Sequence, residues 1–295
     1  KAEDVLKPEW RIWDDFAVER AGTLDADAIV ATRSVQSPVN SPNDALEMFD
    51  EITYSKGAAL LRMLETYLGE EKFQKGIQAY MKAHAFNNAS TNDLWDALSS
   101  ASASSISASS ASSSSSSSRG SASGNSKGRK KDQVDVAKLM DAWVHQPGCP
   151  LVSYACDISS YSPNVLQLLQ KRFFLDSAQA AVVPKSKSAE SLWQIPITFK
   201  LLTKNPEKES ANQSTLFTSA NEVLDLNGAK KNVLMANATG NGYFRTNYSS
   251  RQLSLLHEQN LPELLSVSER VSLLSDLFAT SVAGLLPIDL YLQSL

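Results

Sequence analysis

The sequence predicts a multi-domain α+β chain in which a helical segment, a small β-sandwich and a second helical segment follow one another. Three observations carry this. Apolar residues recur at helical spacing as far as Val144, seven short runs of strand texture lie between Leu151 and Tyr248, and the helical period returns after Ser249. With 295 residues, 42% of them hydrophobic, the chain has material for about two domains or parts of three, and is too apolar to be wholly disordered.

Taken in order, Trp10, Ile12, Trp13 and Phe16 make residues 1–16 a partly apolar segment suited to packing on a larger body. Pro38 to Pro42 is a rigid extended connection, because each proline disfavours helix in the residue before it. A helical stretch starting at Asn43 carries Leu46, Phe49 and Ile52, and Tyr54 to Gly57 leads into Ala58, Leu61, Leu64 and Leu68, with Gly69 as the cap. Phe73, Ile77, Tyr80 and Met81 mark the next helix, and Ser90 to Asp93 reads as an N-terminal cap before Leu94, Trp95 and Leu98.

From Ser99 to Ser126, 18 of 28 residues are serine, followed by Lys127, Arg129, Lys130 and Lys131. Such a stretch cannot bury enough apolar area to offset its ordering entropy, so a mobile linker is expected; a phosphorylation-controlled or acid-binding segment is the alternative. Val134 to Val144 is one more amphipathic helix, stopped by Pro147 and Gly148. The strands expected next are Leu151–Cys156, Val165–Leu175, Gln194–Leu202, Thr215–Thr218, Glu222–Leu226, Asn232–Met235 and Gly242–Tyr248, with Asn227-Gly228 as a hairpin signal. Beyond Ser249, Val267, Val271, Leu274 and Phe278 share one helical face and Gly284 is a stop.

Composition removes several classes of function. The net charge of −4 and a pI near 5.5 argue against a nucleic-acid partner. No run of about 18 apolar residues is present, so no transmembrane helix is expected. Cys149 and Cys156 alone make neither a disulfide scaffold nor a four-ligand zinc module. The sequons at Asn88, Asn212, Asn237 and Asn247 exceed little the roughly three expected by chance, and do not indicate secretion. His84, His145 and His257 are scattered, with no H-E-x-x-H. His145 and Cys149 have a workable ligand spacing, but Pro147 and Gly148 intervene, and His84 suits a helix end better than a metal. Gly240-Asn241-Gly242 opens no helix and so is no phosphate loop, and no G-x-S-x-G occurs.

The stretch from Phe49 to Leu64, F-D-E-I-T-Y-S-K-G-A-A-L-L-R-M-L, resembles a signature of the M1 family of zinc aminopeptidases, the gluzincins, in which a pattern like F-D-x-I-x-Y-x-K-G-A precedes a buried helix. Leu68 to Phe73 with Gly76, and Asn88 to Trp95, are similar to the helices that follow it there. Met140 to Trp143, Gln146 and Pro150 look like the close of the family's catalytic domain, and Trp193 to Thr198 like its sandwich. Gly242 to Ser250, Asp276 to Phe278 and Ala283-Gly284 look like the entry to its C-terminal helical domain. The wording is most similar to the puromycin-sensitive, cytosolic branch, which implies a cytoplasmic location.

The resemblance implies that residues 1–148 are the C-terminal part of a helical, thermolysin-like catalytic domain with a Ser-rich insertion at about 99–131. Residues 149–248 are then the β-sandwich, and 249–295 begin an α-helical superhelical domain. The implied activity is zinc-dependent removal of N-terminal residues from peptide substrates. Family members hold zinc with H-E-x-x-H and a downstream glutamate and bind the substrate amine partly through G-x-M-E-N; in the family order these lie upstream of Lys1, and none is present here. The expectation is therefore an excerpt of a longer protein. Zinc belongs to the full-length parent, none is bound by these 295 residues, and they are inactive alone.

Tyr54 matches the family tyrosine whose hydroxyl donates to the oxyanion of the tetrahedral intermediate; one such donor is worth about 10²–10³ in rate. By position alone it reads as a packing tyrosine. Phe49 matches a position lining the pocket for the substrate's first side chain, with simple helix core as the alternative. Lys56 and Gly57 are expected to serve the turn and close helix packing. Gly148-Cys149-Pro150 departs from the family pattern at Cys149, a packing difference. The rival reading is a non-catalytic M1-like scaffold lacking the metal site. An independent module of residues 150–295 is a third, disfavoured because the helical faces near Leu295 need further partners.

Overall fold

The structure is a computed structural model that describes residues 1–103, 133–156, 165–176, 191–202, 212–225 and 233–295, together with 178, 181 and 183. Two compact units are present, one formed by Lys1–Tyr67 with Ala142–Leu295 and the other by Leu68–Asp141. In the first, α1 (Ala2–Leu6) and a 3-10 turn (Pro8–Trp10) lead into α2 (Ile12–Ala26), whose inner side carries Ala17, Arg20, Ala21 and Leu24. The expected helix through Phe49 is divided. A reciprocal Ser41–Asp44 capping box and Pro42 start α3 (Pro42–Glu47), which stops at Met48. Asp50 then begins a new helical run, its carboxylate accepting from the Thr53 amide at 2.9 Å, and a π-helical turn (Ile52–Lys56) passes directly into α4 (Gly57–Leu68).

The second unit holds α5 (Glu70–Ala83) and α6 (Thr91–Ala103), and α7 (Val136–His145) begins within it. Gly69, at φ +88°, makes the break before α5. Gly76 lets α5 and α6 approach, since a Cβ there would stand 2.7 Å from Leu98 Cδ2. Ser90 caps α6 as expected, exchanging bonds with Asp93. That helix runs on through Ser99 to Ala103, so the first serines of the tract are helical, because Leu98 and Ala101 are buried and hold this last turn down. Ser99 Oγ accepts from the Val136 amide at 3.1 Å, at the start of α7. Residues 104–132, where the linker is expected, lie outside the described residues.

All seven expected strands are found: β1 (Pro150–Cys156), β2 (Val165–Arg172), β3 (Ile195–Leu202), β4 (Gln213–Phe217), β5 (Asn221–Asp225), β6 (Val233–Ala236) and β7 (Arg245–Tyr248). They form two sheets, β5-β2-β1-β7 and β4-β3-β6, antiparallel except for the parallel β1–β7 pair, which sets Tyr154 opposite Tyr248. Central β3 is buried along most of its length, consistent with its continuous Ile-Pro-Ile-Thr-Phe run. The Tyr248 hydroxyl reaches from one sheet to the other, accepting from the Ala236 amide at 3.0 Å. Asn227-Gly228 lies outside the described residues. Among the described residues the strands on either side of it pair elsewhere, β5 with β2 and β6 with β3. β7 starts three residues later than expected, because Gly242 bonds instead to Asn237 and Arg20.

Helices resume with α8 (Ser250–His257), α9 (Leu261–Leu264), α10 (Val267–Val282) and α11 (Ile288–Leu292). Ser249 with Gln252 and Ser266 with Glu269 form capping boxes, and Gly284 at φ +71° ends α10 as expected. The inward face of α10 differs from the expected one. Glu269, Ser272, Leu273, Asp276, Leu277 and Thr280 are buried, whereas Phe278 is 48% exposed. The polar members of the inward face are all partnered in the fold, which lets a face that hydrophobic periodicity would discard be the packed one.

Candidate active site

The two residues singled out by the sequence meet. Phe49 and Tyr54 have ring centroids 5.9 Å apart and are 69% and 58% exposed, so neither belongs to the core of this chain. Tyr54 sits in the middle of the π-helical turn, a local widening that recurs at functional sites because it redirects a side chain out of the regular spiral. Its backbone N–H donates to the Asp50 carbonyl at 3.1 Å.

The turn is tied down on both sides. Arg33 grips the Asp50 carboxylate with Nε at 3.1 Å and a terminal nitrogen at 2.5 Å, and that same nitrogen donates to Thr53 Oγ1 at 2.6 Å. A two-pronged guanidinium–carboxylate contact fixes orientation as well as distance. Ser55 Oγ donates to Glu19 of α2 at 2.6 Å. Lys56 turns inward and is fully buried, its ammonium donating to Asp27 Oδ2 at 2.8 Å and to the Gly148 carbonyl at 3.1 Å, and lying 5.6 Å from the centre of the Tyr243 ring.

Asp27, equally buried, is saturated. Beyond Lys56 it accepts from Thr32 Oγ1 at 2.6 Å, the Gly148 amide at 3.1 Å and the Tyr243 hydroxyl at 3.2 Å. Burial pushes the Tyr243 phenol well above its ordinary value, and the negative charge of Asp27 adds to this, so Tyr243 stays a donor. The same two causes push the neighbouring Cys149 thiol up to about 12. With its Sγ 3.9 Å from the Leu24 carbonyl, Cys149 is a packed thiol rather than a ligand partner for the exposed His145. Gly57 plays a different part from the one expected: a Cβ there would meet nothing within 4 Å, so the close approach is made by Lys56.

A second buried cluster lies along α2, β7 and α10. Arg245 donates to Asp276 Oδ1 at 3.0 Å, Ser275 Oγ at 2.7 Å, Asp25 Oδ1 at 2.5 Å and the Ala21 carbonyl at 3.0 Å. Asp276 Oδ2 also takes the Thr246 amide and hydroxyl. Burial raises the Asp276 carboxyl in spite of Arg245, and lowers the Arg20 guanidinium to about 10 against the pull of Asp276. Sequence reasoning missed Asp27, Arg33 and Arg245. Lys56 was legible as part of the signature, expected to serve the turn and helix packing, but its buried partner Asp27 was not.

Comparison with known proteins agrees with the signature. Residues 1–112 match the peptidase family M1 domain, and residues 233–295 match the ERAP1-like C-terminal domain. Residues 1–112 are thus a peptidase family M1 domain, and residues 233–295 an ERAP1-like C-terminal domain. It is 28% identical over 293 residues to tricorn protease-interacting factor F2 of Thermoplasma acidophilum, covering 99% of this chain and 30% of the relative. It is 31% identical over 291 residues to human endoplasmic reticulum aminopeptidase 2, covering 98% and 29%. Aminopeptidase M1-A of Oryza sativa subsp. japonica is 28% identical over 289 residues, covering 96% and 27%. The chain thus spans between 27% and 30% of the length of these relatives.

The family is zinc-dependent, but the described residues do not fit a zinc ion. Among them no cluster of three or more His, Cys, Asp or Glu could hold a metal. His84 lies beside Tyr80 and Asp93, His145 ends α7, and His257 bonds Ser294 at the end of α8. No helix among the described residues is long and apolar enough to cross a membrane.

Proposed function

We propose that this chain is the portion of an M1 aminopeptidase that follows the metal ligands, and that Tyr54 serves the removal of single residues from peptide N-termini. The observation that carries this is the presentation of Tyr54: an exposed phenol on a π-helical turn whose neighbours Asp50, Thr53, Ser55 and Lys56 are all anchored. As the scissile carbonyl becomes tetrahedral, its oxygen acquires charge, and a fixed O–H aimed at that oxygen binds the transition state more tightly than the substrate. A phenolic O–H is a hydrogen-bond donor suited to this purpose.

Phe49, beside it, supplies an apolar wall for the substrate's first side chain, which favours broad or hydrophobic selectivity. Zinc is supplied by residues other than these 295, so the chain alone is inactive. The three-part division at residues 148/149 and 248/249, with the two sheets forming a sandwich, belongs to the same proposal. So does a cytoplasmic location, although a relative named for the endoplasmic reticulum shows that related chains occupy other compartments.

The test is Tyr54→Phe in the complete protein. The hydroxyl acts only in the transition state, so kcat should fall by about 10²–10³ while KM changes little. A kcat within a few-fold of wild type would overturn the assignment.

A further inference from the structure

We propose that Lys56 is a positioning residue for Tyr54: its buried pair with Asp27 sets the rotation of the π-helical turn and so the place where the Tyr54 hydroxyl stands. The inference rests on the oxyanion role proposed for Tyr54. Residues two apart lie on nearly opposite sides of a helix, in a π-helical turn as in an α-helix, so a side chain fixed inward at 56 turns the one at 54 outward. The exposures agree, 0% for the Lys56 side chain and 58% for Tyr54.

The anchor that Lys56 finds is not local. Asp27 is held by nearby Thr32 and by Gly148 and Tyr243 from two distant parts of the chain, and Lys56 bonds Gly148 as well. Through Lys56 the turn is therefore referenced to the body of the protein, in addition to the contacts of Arg33 and Ser55. Stability alone does not call for such a device. Burying two charges costs desolvation that their attraction barely offsets, and a well-packed apolar pair of similar volume would hold the turn equally well. What the ion pair adds is a fixed length and direction, with the ammonium committed to one carboxylate oxygen, one carbonyl and one ring face. The Tyr54 side chain itself makes no hydrogen bond among the described residues, so its placement comes through the backbone, which Arg33 and Ser55 hold on the outer side and Lys56 from within. A displacement of about 1 Å at a reacting centre can cost about 10² in rate, which gives such a lock a catalytic reason.

The experiment is a cycle in the complete protein between Tyr54→Phe and the paired change Lys56→Met with Asp27→Asn, which leaves no unpaired buried charge. With Tyr54 present, the paired change should lower kcat at least about 10-fold with KM within about threefold. In the Tyr54→Phe background it should lower kcat by less than about threefold, because the group being positioned is gone. Equal losses in both backgrounds would mean a structural role only and would overturn the positioning role while leaving Tyr54's own role standing. An unchanged kcat in Tyr54→Phe alone would overturn the oxyanion role, and this inference with it. Should the paired change prevent folding, amide hydrogen exchange on the unmodified protein decides. The Thr53 and Tyr54 amides are expected to exchange as slowly as those of α4, and exchange as fast as an exposed loop overturns the lock.

Discussion

Helix α2 closes on two aspartates two residues apart, and each meets a buried cation in a different setting. Asp27 is wholly buried, and its four incoming donors leave it no outlet to water. Asp25 is 39% exposed and shares Arg245 with the buried Asp276. Similar contact distances therefore conceal different dependence. Lys56 has a single carboxylate partner, whereas Arg245 keeps a second one if Asp25 is lost. What a pair is worth follows from what its removal strands, more than from how close its atoms are.

This contrast can be broken at three places. Asp27→Ala strands the Lys56 ammonium in the interior and should destabilise the protein by about 3–5 kcal/mol in urea unfolding. A loss below about 1 kcal/mol would mean that the pair does not hold this region.

Glu269 and Lys200, 2.9 Å apart and 5% and 13% exposed, form an intermediate case that pH can address. Burial alone would raise the Glu269 carboxyl, but the Thr239 amide, Lys200 and the Ser266 amide outweigh it and hold it below the ordinary glutamate range. On acidification the unfolded chain takes up this proton first. The stability that Glu269 supplies at neutral pH is thus lost as pH falls through its folded value. Glu269→Gln should cost about 1–3 kcal/mol at pH 7, and the gap from wild type should close in that acid range; a gap that persists unchanged to low pH contradicts the linkage. Asp25→Ala should be the mildest, within about 1 kcal/mol, because its carboxylate is partly solvated and Arg245 keeps Asp276.

Sequence reasoning succeeded where one physical signal dominates. Strand texture between turn residues located all seven strands, and caps at Ser90, Gly69 and Gly284 marked helix ends, because these depend on neighbours in the chain. It failed where burial is polar. The inward face of α10 carries Glu269, Ser272 and Asp276, whose partners Lys200, Asn237 and Arg245 come from the sheet region, and no periodicity of apolar residues marks such a face. The site shows the same division. Tyr54 and Phe49 were legible through a family pattern, but Asp27 and Lys56 are 29 residues apart and reveal their pairing only when folded.

Gly148 shows what that pairing does beyond its own neighbourhood. Its N–H donates to Asp27 and its carbonyl accepts from Lys56, so an ion pair stands beside this residue where a strand neighbour would, two residues before β1 begins at Pro150. The residue has φ +87°, a conformation glycine adopts freely, and a Cβ would come 2.5 Å from Arg172 Nε. Sliding the chain by one residue would bring Pro147 or Cys149 to that spot, the first unable to adopt the angle and the second strained by it. Two side chains from the helical half of the protein thus act as a zero mark for the sheet, helping to fix which face of β1 turns inward.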